Sequence, residues 1–463
     1  MFAMENAGGP PIRRGQMARD WTKGNIFHNL WSLSWPMIIS NSLQMAGPTI
    51  DMVWVGRLGT ASIAGVGAAG MGMMILMPAM MGLTMGARAM IARFIGAGDE
   101  EDANQVVRQA FILSVGFCTI TALVGIFFAE SIMRLLGMAP EVVVEGAAYM
   151  RIVFGGSIFM SFGMMAQGTI QAAGDTMTPM QVTVGTRLFH TLLCPFLVFG
   201  WGFFPRLGVS GAAVTNIASQ GIGAIIMIWI LFGGHTRIRL TMKNFRFDLN
   251  IIWRMVKIGI PALVTGVVQP FAMTILMRII ASFGTLAVAA HTLTTRIQMV
   301  LFMPGTALGM AAGVLAGQNL GAGQPERAEK SGWLAAGLVE GIMFIGSVVL
   351  LFWSTNIIHI FSSEPSLVEI TSTFLKIAIA GYVVMGLNAV FMQCLMGVGD
   401  TVPPMALQIV MMWAVQLPLA YFIPKVTDLG VYGVRWAMVA GMWFGAIFFT
   451  IYFRTGRWKR KKV

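Results

Sequence analysis

Residues 174–180 read GDTMTPM, and residues 399–405 read GDTVPPM, 225 positions further along the chain. The same offset connects the Gly-Ala-Gly triplet at 96–98 with the Gly-Ala-Gly triplet at 321–323. Self-similarity at one constant offset indicates an internal duplication. The chain is therefore predicted to consist of two copies of one structural unit.

The composition is typical of a membrane protein. Of the 463 residues, 56% are hydrophobic and 11% are charged, whereas soluble domains contain about 25% charged residues. The mean hydropathy is +0.75. Apolar stretches of about twenty residues, long enough to cross a bilayer as a helix, recur along the chain. Twelve spans are predicted, at residues 31–55, 60–83, 109–129, 147–171, 181–204, 209–232, 252–280, 286–315, 332–354, 372–396, 405–424 and 430–453.

These spans are predicted to be helices. Backbone amides inside a bilayer must find their hydrogen-bond partners within the protein, and a helix achieves this within one segment. The alternating polar and apolar pattern of a membrane β-barrel is absent from the sequence. The predicted fold class is therefore an all-α integral membrane protein.

The duplication places six spans in each copy. Because six is even, both copies have the same orientation, and parallel repeats of this kind enclose a substrate site between them. The predicted organisation is a tail over residues 1–30, an N-lobe over 31–232, a linker over 233–251, a C-lobe over 252–453 and a basic tail over 454–463.

The net charge of +12 has two possible explanations, nucleic-acid binding and membrane orientation. Most Lys and Arg residues fall in the two tails and in the even-numbered loops, which favours orientation and places both termini in the cytoplasm. No nucleic-acid partner is expected. Residues 1–26 lack the apolar core of a cleavable signal peptide, so the first span is expected to direct insertion into the inner membrane. The basic run at 457–462 is expected to lie on anionic lipid headgroups.

Several motifs resemble those of one transporter family. They are the stretch DMVWVGRLG at 51–59, the glycine-rich loop at 96–102 with its four acids, the GDT motif in both copies, and GQNLGAG at 317–323. In this order and spacing they resemble a MATE (multidrug and toxic compound extrusion) transporter over about residues 28–455. The resemblance implies two six-helix lobes in a V around a central cavity. It also implies antiport of small organic compounds, often cationic or amphiphilic, against H⁺ or Na⁺, and we expect a monomer.

Asp51 is the main candidate for a coupling role. An ionisable residue at membrane depth indicates function, and only Asp51 and Glu340 are acids placed inside apolar segments. Burial favours the neutral form of a carboxyl group, which lets it exchange a proton near neutral pH. Asp51 also matches the first-span acid that the resemblance implicates in cation coupling. Gln44 lies two helical turns earlier on the same face, which we expect to line the cavity. The alternative is an acid in the outer interface.

Two prolines are predicted to make the first span bendable. Pro48 cannot donate to the carbonyl of Gln44, which weakens the helix one turn before Asp51. Pro36 matches the proline about which the first helix of MATE proteins is thought to bend. Protonation of Asp51 is therefore expected to bend this helix between two shapes.

The fifth span departs from the pattern of the family. Where related proteins often have Asn, three residues and Asp-Pro, this chain has His190 and Cys194-Pro195, so the usual second acid is missing. Histidine titrates near physiological pH, so His190 is predicted to be a second proton carrier beside Asp51. A neutral structural histidine is the alternative.

Two further positions bear on the choice of coupling ion. The Na⁺-coupled branch of the family commonly has an acid where this chain has Gln269, and another acid is expected in the tenth span, where this chain has Asn388. Carboxylates are the ligands that a hard cation prefers, so their absence favours H⁺ over Na⁺. No P-loop motif occurs, which favours an ion gradient over ATP as the energy source.

No other cofactor and no metal site are predicted. The cysteines Cys118, Cys194 and Cys394 all fall inside predicted spans and lack metal-type spacing, so they are interpreted as apolar filler. The five histidines are dispersed along the sequence.

Glu340 and Arg296 are predicted to be the remaining deeply placed charges of the second half. They are expected either to form an ion pair between helices or to contact substrate or cation. His291 matches a recurrent histidine of the family's eighth span, and its role stays open.

Three functions other than multidrug efflux are less consistent with the sequence. The stretch GVGAAG at 65–70 satisfies a dinucleotide-binding motif, but it lies inside an apolar helix without a preceding strand, so it is interpreted as helix packing. A flippase for lipid-linked precursors would need several intramembrane cations, of which Arg187, Arg278 and Arg296 are the main candidates. A membrane-embedded enzyme would need clustered His, Asp or Glu, which the sequence lacks. The thirty-nine Met residues suit a soft cavity lining, although most are expected to face lipid.

Overall fold

The computed structural model describes residues 20–135, 139–202, 204–234, 236–241 and 245–461, and of residues 48, 60–75 and 145 it describes the backbone only. The described residues form helices joined by short loops. In the first half the helices are α1 Ile26–Val55, α2 Thr60–Ala97, α3 Glu100–Leu135, α4 Pro140–Gly155, α5 Ser157–Ala172, α6 Met177–Phe199 and α7 Val209–Gly233. In the second half they are α8 Leu249–Ala281, α9 Thr285–Gly321, α10 Pro325–His359, α11 Pro365–Gly397, α12 Val402–Ile409, α13 Leu417–Val426 and α14 Val431–Arg454.

These helices correspond to twelve spans. Nine described helical segments are long and apolar enough to cross a membrane, and α4 with α5 makes a tenth that bends by 46° at Gly156. A side chain at Gly156 would collide with Ile217, so the bend lies at a close helix contact. A π-helical segment, Val410–Gln416, joins α12 to α13 within a single span. Helices α1 and α2 complete the count, and the expectation of an all-α membrane protein is confirmed.

Several helices extend beyond the apolar stretches that predicted them. Helix α1 begins at Ile26, five residues before the predicted span, because the side chain of Asn25 accepts the N–H of Phe27 at 2.8 Å and caps the helix. Helix α2 continues to Ala97, far beyond the predicted end at residue 83. Hydropathy marks only the apolar part of a helix, whereas caps decide where it begins and ends.

Helices α1–α7 form the N-lobe, and α8–α14 form the C-lobe. Glycines let α2 and α8 approach closely where the lobes meet. A Cβ on Gly82 would lie 2.6 Å from the carbonyl oxygen of Gly259, and a Cβ on Gly266 would lie 2.7 Å from Pro78. Further along, Gly96 lies directly against Gln318 of α9. The contact between the lobes therefore extends from the middle of these helices to one end of the bundle. At this end α1 begins and α14 ends, and we call it the terminal end.

Helix α1 also contributes to this junction. Its first half, including Leu30, Leu33 and Met37, is buried in the core of the C-lobe, and Asn41 donates to the sulfur of Met310 on α9 at 3.8 Å. Its second half packs instead on α6 and α7 of the N-lobe. The lobes are joined at the terminal end, and the V opens toward the opposite end, which we call the open end.

The C-terminal basic segment packs on the C-lobe, and the contact of its basic side chains with lipid headgroups stays a prediction. A 3₁₀ turn at Arg457–Arg460 buries Trp458, whose ring stacks on Phe453 with centroids 4.8 Å apart. Lys459 donates to the carboxylate of Glu329 in the second turn of α10, outside the apolar stretch, and this lowers the pKa of that carboxyl. The Lys459–Glu329 pair therefore stabilises the fold at pH values above the ordinary pKa of glutamate. This contribution is lost as the pH falls through the lowered pKa of Glu329.

We expect Trp458→Ala to destabilise the C-lobe. The side chain is 0% exposed, and deleting a buried tryptophan costs about 3–5 kcal/mol because it removes apolar burial and leaves a cavity. The midpoint of thermal unfolding in detergent should fall by several degrees. Trp253→Ala, which truncates an exposed tryptophan on α8, is the control and should lower the midpoint much less. An equal loss in both variants would contradict the docking of the tail.

Candidate functional site

Asp51 lies in the last turns of α1 and is 1% exposed. Side chains from two other helices of the N-lobe surround its carboxylate. His190 Nε2 lies 3.0 Å from Oδ1, and the Cys194 thiol donates to the same oxygen at 3.8 Å. Asn216 Nδ2 donates to Oδ2 at 3.3 Å. The acid is therefore enclosed within the N-lobe, and the alternative of an acid in the outer interface is not what the structure shows.

The helices α6 and α7 position these groups. His190 and Cys194 are four residues apart on α6, so their side chains lie on one face, one turn from each other. Helix α7 approaches α6 closely because Gly211 lies against the carbonyl oxygen of Leu197, at 2.5 Å from the position of a Cβ. This close approach brings Asn216 of α7 within reach of α1.

The contact between Asp51 and His190 is a pair of two titratable groups. The imidazole is 0% exposed, and neither ring nitrogen completes a well-directed hydrogen bond with the described residues, although Nε2 lies within ion-pair distance of the carboxylate. An ionised carboxylate without water needs a compensating charge or hydrogen bonds. The pair meets this need either as carboxylate with imidazolium or as a neutral acid with a neutral ring.

A second layer of polar groups surrounds the pair. Gln220 donates to Asn216 Oδ1, which leaves the amide of Asn216 directed at Asp51. Arg187 of α6 packs against the backbone at Gly47 and interacts electrostatically with Asp51. The sequence contains a pattern that indicates two of these groups, Asn216 and Gln220. Asn216 and Gln220 are polar residues four apart within an apolar span, the spacing of one helix face.

The other glutamine and asparagine candidates do not join this site. Gln44 is exposed and donates to Gln167 Oε1 on α5 at 3.0 Å, so it lies on the surface of α1 while Asp51 is enclosed. Gln269 is exposed on α8. Asn388 packs between α11 and α14 and donates to the carbonyl oxygen of Met442 at 2.9 Å.

The charged candidates of the C-lobe are also apart from one another. Glu340 accepts the backbone N–H of Leu387 on α11 at 2.8 Å, whereas Arg296 is exposed on α9. Within the described part of the chain these two residues form no ion pair. The expected pairing is therefore not found, because helix spacing alone does not determine which faces of α9 and α10 meet. His291 is buried, close to a second arginine that the sequence interpretation did not place at depth, Arg435.

The two proline candidates both lie within α1. The helix is continuous across Pro36 and Pro48 in this structure, and Pro36 is buried. The side chain of Pro48 lies outside the described residues. Their role as hinges stays a prediction.

The site is poorly suited to Na⁺. The donor atoms of Asp51, His190 and Cys194 lie within 4.8 Å of one another, and this is the one such group of donors in the described ranges. Sodium, like other hard cations, favours several oxygen ligands, whereas here nitrogen and sulfur accompany a single carboxylate. The chemistry of this set fits the exchange of a proton better than the binding of Na⁺.

A bundle of helices long and apolar enough to cross a membrane, arranged in two lobes, defines a multi-pass membrane protein, and the family match makes it a transporter and not an enzyme. The sequence profile of the family described as MatE matches residues 36–196 and 261–422, once in each lobe. The chain therefore belongs to the MATE family, as its motifs predicted, and the two matches confirm the internal duplication.

Similar proteins and a similar solved structure agree with this assignment. The probable multidrug resistance protein NorM of Thermotoga maritima is 26% identical, covering 95% of this chain and 94% of its own. The multidrug resistance protein NorM of Burkholderia vietnamiensis is 27% identical, covering 89% and 90%. A crystal structure of a MATE protein in the bent conformation has a TM-score of 0.88 at 24% identity, covering 94% of this chain and 96% of that one.

Proposed function

We propose that this transporter exports small organic compounds, cationic or amphiphilic in character, in exchange for protons that bind at Asp51. The observation that carries the proposal is the enclosed carboxylate with His190 3.0 Å away. Relatives named as multidrug resistance proteins support the substrate class. The poor fit of the site to Na⁺ supports H⁺ as the coupling ion.

The contacts of Asp51 suggest how a proton acts on α1. The ionised carboxylate accepts from Cys194 and Asn216, so it connects α1 to α6 and α7. Hydrogen bonds to an ionised acceptor are about twice as strong as neutral ones, and protonation also removes the attraction to an imidazolium. Protonation therefore weakens this connection. The last turns of α1, which follow the missing hydrogen bond at Pro48, then become free to take a second shape.

The proposal includes a membrane orientation and an assembly state. The basic tails and even-numbered loops support a cytoplasmic position for both termini, and the protein is proposed to lie in the inner membrane. With that orientation, the terminal end faces the cytoplasm and the open end faces outward. We expect one chain to be sufficient for transport, because the cleft is formed by the two lobes of a single chain.

Reconstitution into proteoliposomes tests the coupling ion. Efflux of ethidium, a fluorescent organic cation, is followed under an imposed pH gradient or an imposed Na⁺ gradient of equal size. We expect the pH gradient to drive transport and the Na⁺ gradient at constant pH to have no effect. Nigericin, which dissipates the pH gradient, should stop the signal, and vesicles without protein serve as the blank. Transport driven by Na⁺ alone would reject proton coupling.

We expect His190→Asn to retain transport but to shift its pH profile. Asparagine preserves hydrogen bonding but cannot become an imidazolium, so any contribution of the imidazole to the pH dependence is lost. The measurement is the initial rate of ethidium efflux between about pH 5.5 and 8.5. His359→Asn, at an exposed position in the last turn of α10, is the control. An unchanged profile in His190→Asn would assign His190 a structural role only.

A further inference from the structure

Arg435 is a buried charge in the C-lobe that the coupling site does not use. It lies in the second turn of α14 and is 2% exposed. Its Nη1 points along the helix toward the sulfur of Met438, 3.5 Å away, and its guanidinium carbon lies 4.6 Å from the centre of the Phe374 ring on α11. The side chain therefore extends toward the interior of the lobe and not toward the open end.

The charge of Arg435 has no acidic partner. No ion pair involves this residue among the described side chains. Its Nε and Nη2 atoms are buried and, within the same part of the chain, find no hydrogen-bond acceptor. Two other polar groups interact electrostatically with it, Tyr382 and His291. Neither is a carboxylate.

The contacts of Arg435 offset only part of the cost of burying its charge. Moving one ion from water into a protein interior is strongly unfavourable even after relaxation. The cation–π contact with Phe374 returns only part of that cost. The thioether of Met438 is a weak acceptor. A water molecule would satisfy hydrogen bonds but would leave the positive charge uncompensated.

Two further polar groups near Arg435 are also left without partners. The hydroxyl of Tyr382, on α11, is fully buried, and it makes no hydrogen bond with the described residues. The same is true of Nδ1 of His291, on α9, whose side chain is almost fully buried. Three buried polar groups, one on each of α9, α11 and α14, thus retain unused hydrogen-bonding capacity. One small ligand between these helices would satisfy it.

We propose that Arg435, Tyr382 and His291 form a binding site for a small monovalent inorganic anion of the size and hydration of chloride, enclosed between α9, α11 and α14. The anion accepts hydrogen bonds from the guanidinium and from the Tyr382 hydroxyl, and it neutralises the buried charge. Enclosure favours a small, singly charged and weakly hydrated ion, because a phosphate or a large organic anion would need more space and would lose more hydration. The site is separate from Asp51, which lies in the other lobe.

Chloride dependence of stability tests this site. The protein is purified in sodium gluconate, and thermal unfolding is followed as chloride replaces gluconate at constant ionic strength. A ligand that binds only the folded state raises the unfolding midpoint as its concentration rises above its dissociation constant. We expect chloride, and bromide similarly, to raise the midpoint, whereas gluconate does not.

Variants connect the effect to the residues. Arg435→Met should abolish the chloride response and unfold at a midpoint that is independent of the anion, since a buried charge can be replaced by an apolar side chain of similar size. Tyr382→Phe should weaken chloride binding about tenfold or more, because one hydrogen bond to a charged group is lost. Arg278→Met, at an exposed arginine in the same lobe, is the matched control and should respond like the wild type.

Two results would overturn the proposal. One is a wild-type protein whose unfolding midpoint is unaffected by chloride, and the other is an Arg435→Met protein that responds to chloride as the wild type does. If Arg435→Met does not fold, crystals of the wild type grown in bromide decide the question through anomalous scattering. A bromide peak in contact with the Arg435 guanidinium supports the site, and a structure without one rejects it.

Discussion

Asp51→Asn will abolish efflux driven by a pH gradient while leaving the binding of ethidium measurable. The amide has the size of the carboxyl group but cannot release a proton, so α1 should remain weakly connected to α6 and α7, as proposed for the protonated state. Asp51 lies within the N-lobe rather than on an exposed surface, and its replacement should therefore leave the substrate surface of the cleft intact. We expect at least a hundredfold loss of rate, because each turnover requires the charge state to change.

The loss of pH-driven efflux and the retention of ethidium binding are measured separately. Efflux is followed in proteoliposomes under the pH gradient, and binding is followed by the fluorescence anisotropy of ethidium with protein in detergent. Asp428→Asn removes an exposed carboxylate near the open end and is the matched control, with transport close to the wild type. Full pH-driven transport in Asp51→Asn would remove this residue from the mechanism, and a loss of ethidium binding would assign it to the substrate site instead.

Gly82→Val will prevent the lobes from closing at the terminal end. The added Cβ would lie 2.6 Å from the carbonyl oxygen of Gly259, and the obstacle is helix backbone, which cannot rotate away. Overpacking of a tight interface costs about 1–3 kcal/mol, which corresponds to roughly a tenfold to hundredfold shift between two arrangements. Because alternating access needs both arrangements, we expect transport to fall by at least tenfold.

Distances across the terminal end report this shift directly. Spin labels at Glu100→Cys and Glu326→Cys, exposed positions on opposite lobes, should be further apart in Gly82→Val than in the otherwise unchanged protein. The three native cysteines are buried, which limits background labelling. Gly116→Val on α3, where a Cβ meets open space, is the control for the change in helix propensity. Equal distances in the two glycine variants would contradict the role of the glycine contact.

The candidate site was only partly predictable. Asp51 is predictable from its position deep in an apolar span. His190 is predictable because it lies in the fifth span at a position where the family motif has another residue. In the structure the two side chains lie 3.0 Å apart, and their roles in coupling stay predictions. Asn216 was missed, because an asparagine in an apolar helix shows its importance only when its neighbours are known.

Arg435 and Arg296 illustrate the limit of spacing arguments. Both are single arginines in apolar segments, and the sequence favoured Arg296 as the deep charge. In the structure Arg296 is exposed and Arg435 is buried. Position along a helix sets depth in the membrane, but burial depends on which face of the helix meets its neighbours, and that is decided by packing between segments distant in sequence.

The sequence by itself determined the number of spans, their duplication and the family, because hydropathy and repeated motifs are properties of the chain taken in order. The tertiary structure alone decided which side chains meet: Asp51 with Asn216 across 165 positions, Gly82 with Gly259 at the junction, and Arg435 beside Tyr382. The physical reason is that apolar residues drive each helix into the membrane with little preference for a particular neighbour. The choice of neighbour rests on close packing at small residues and on a few buried polar contacts, which exist only once the helices have assembled.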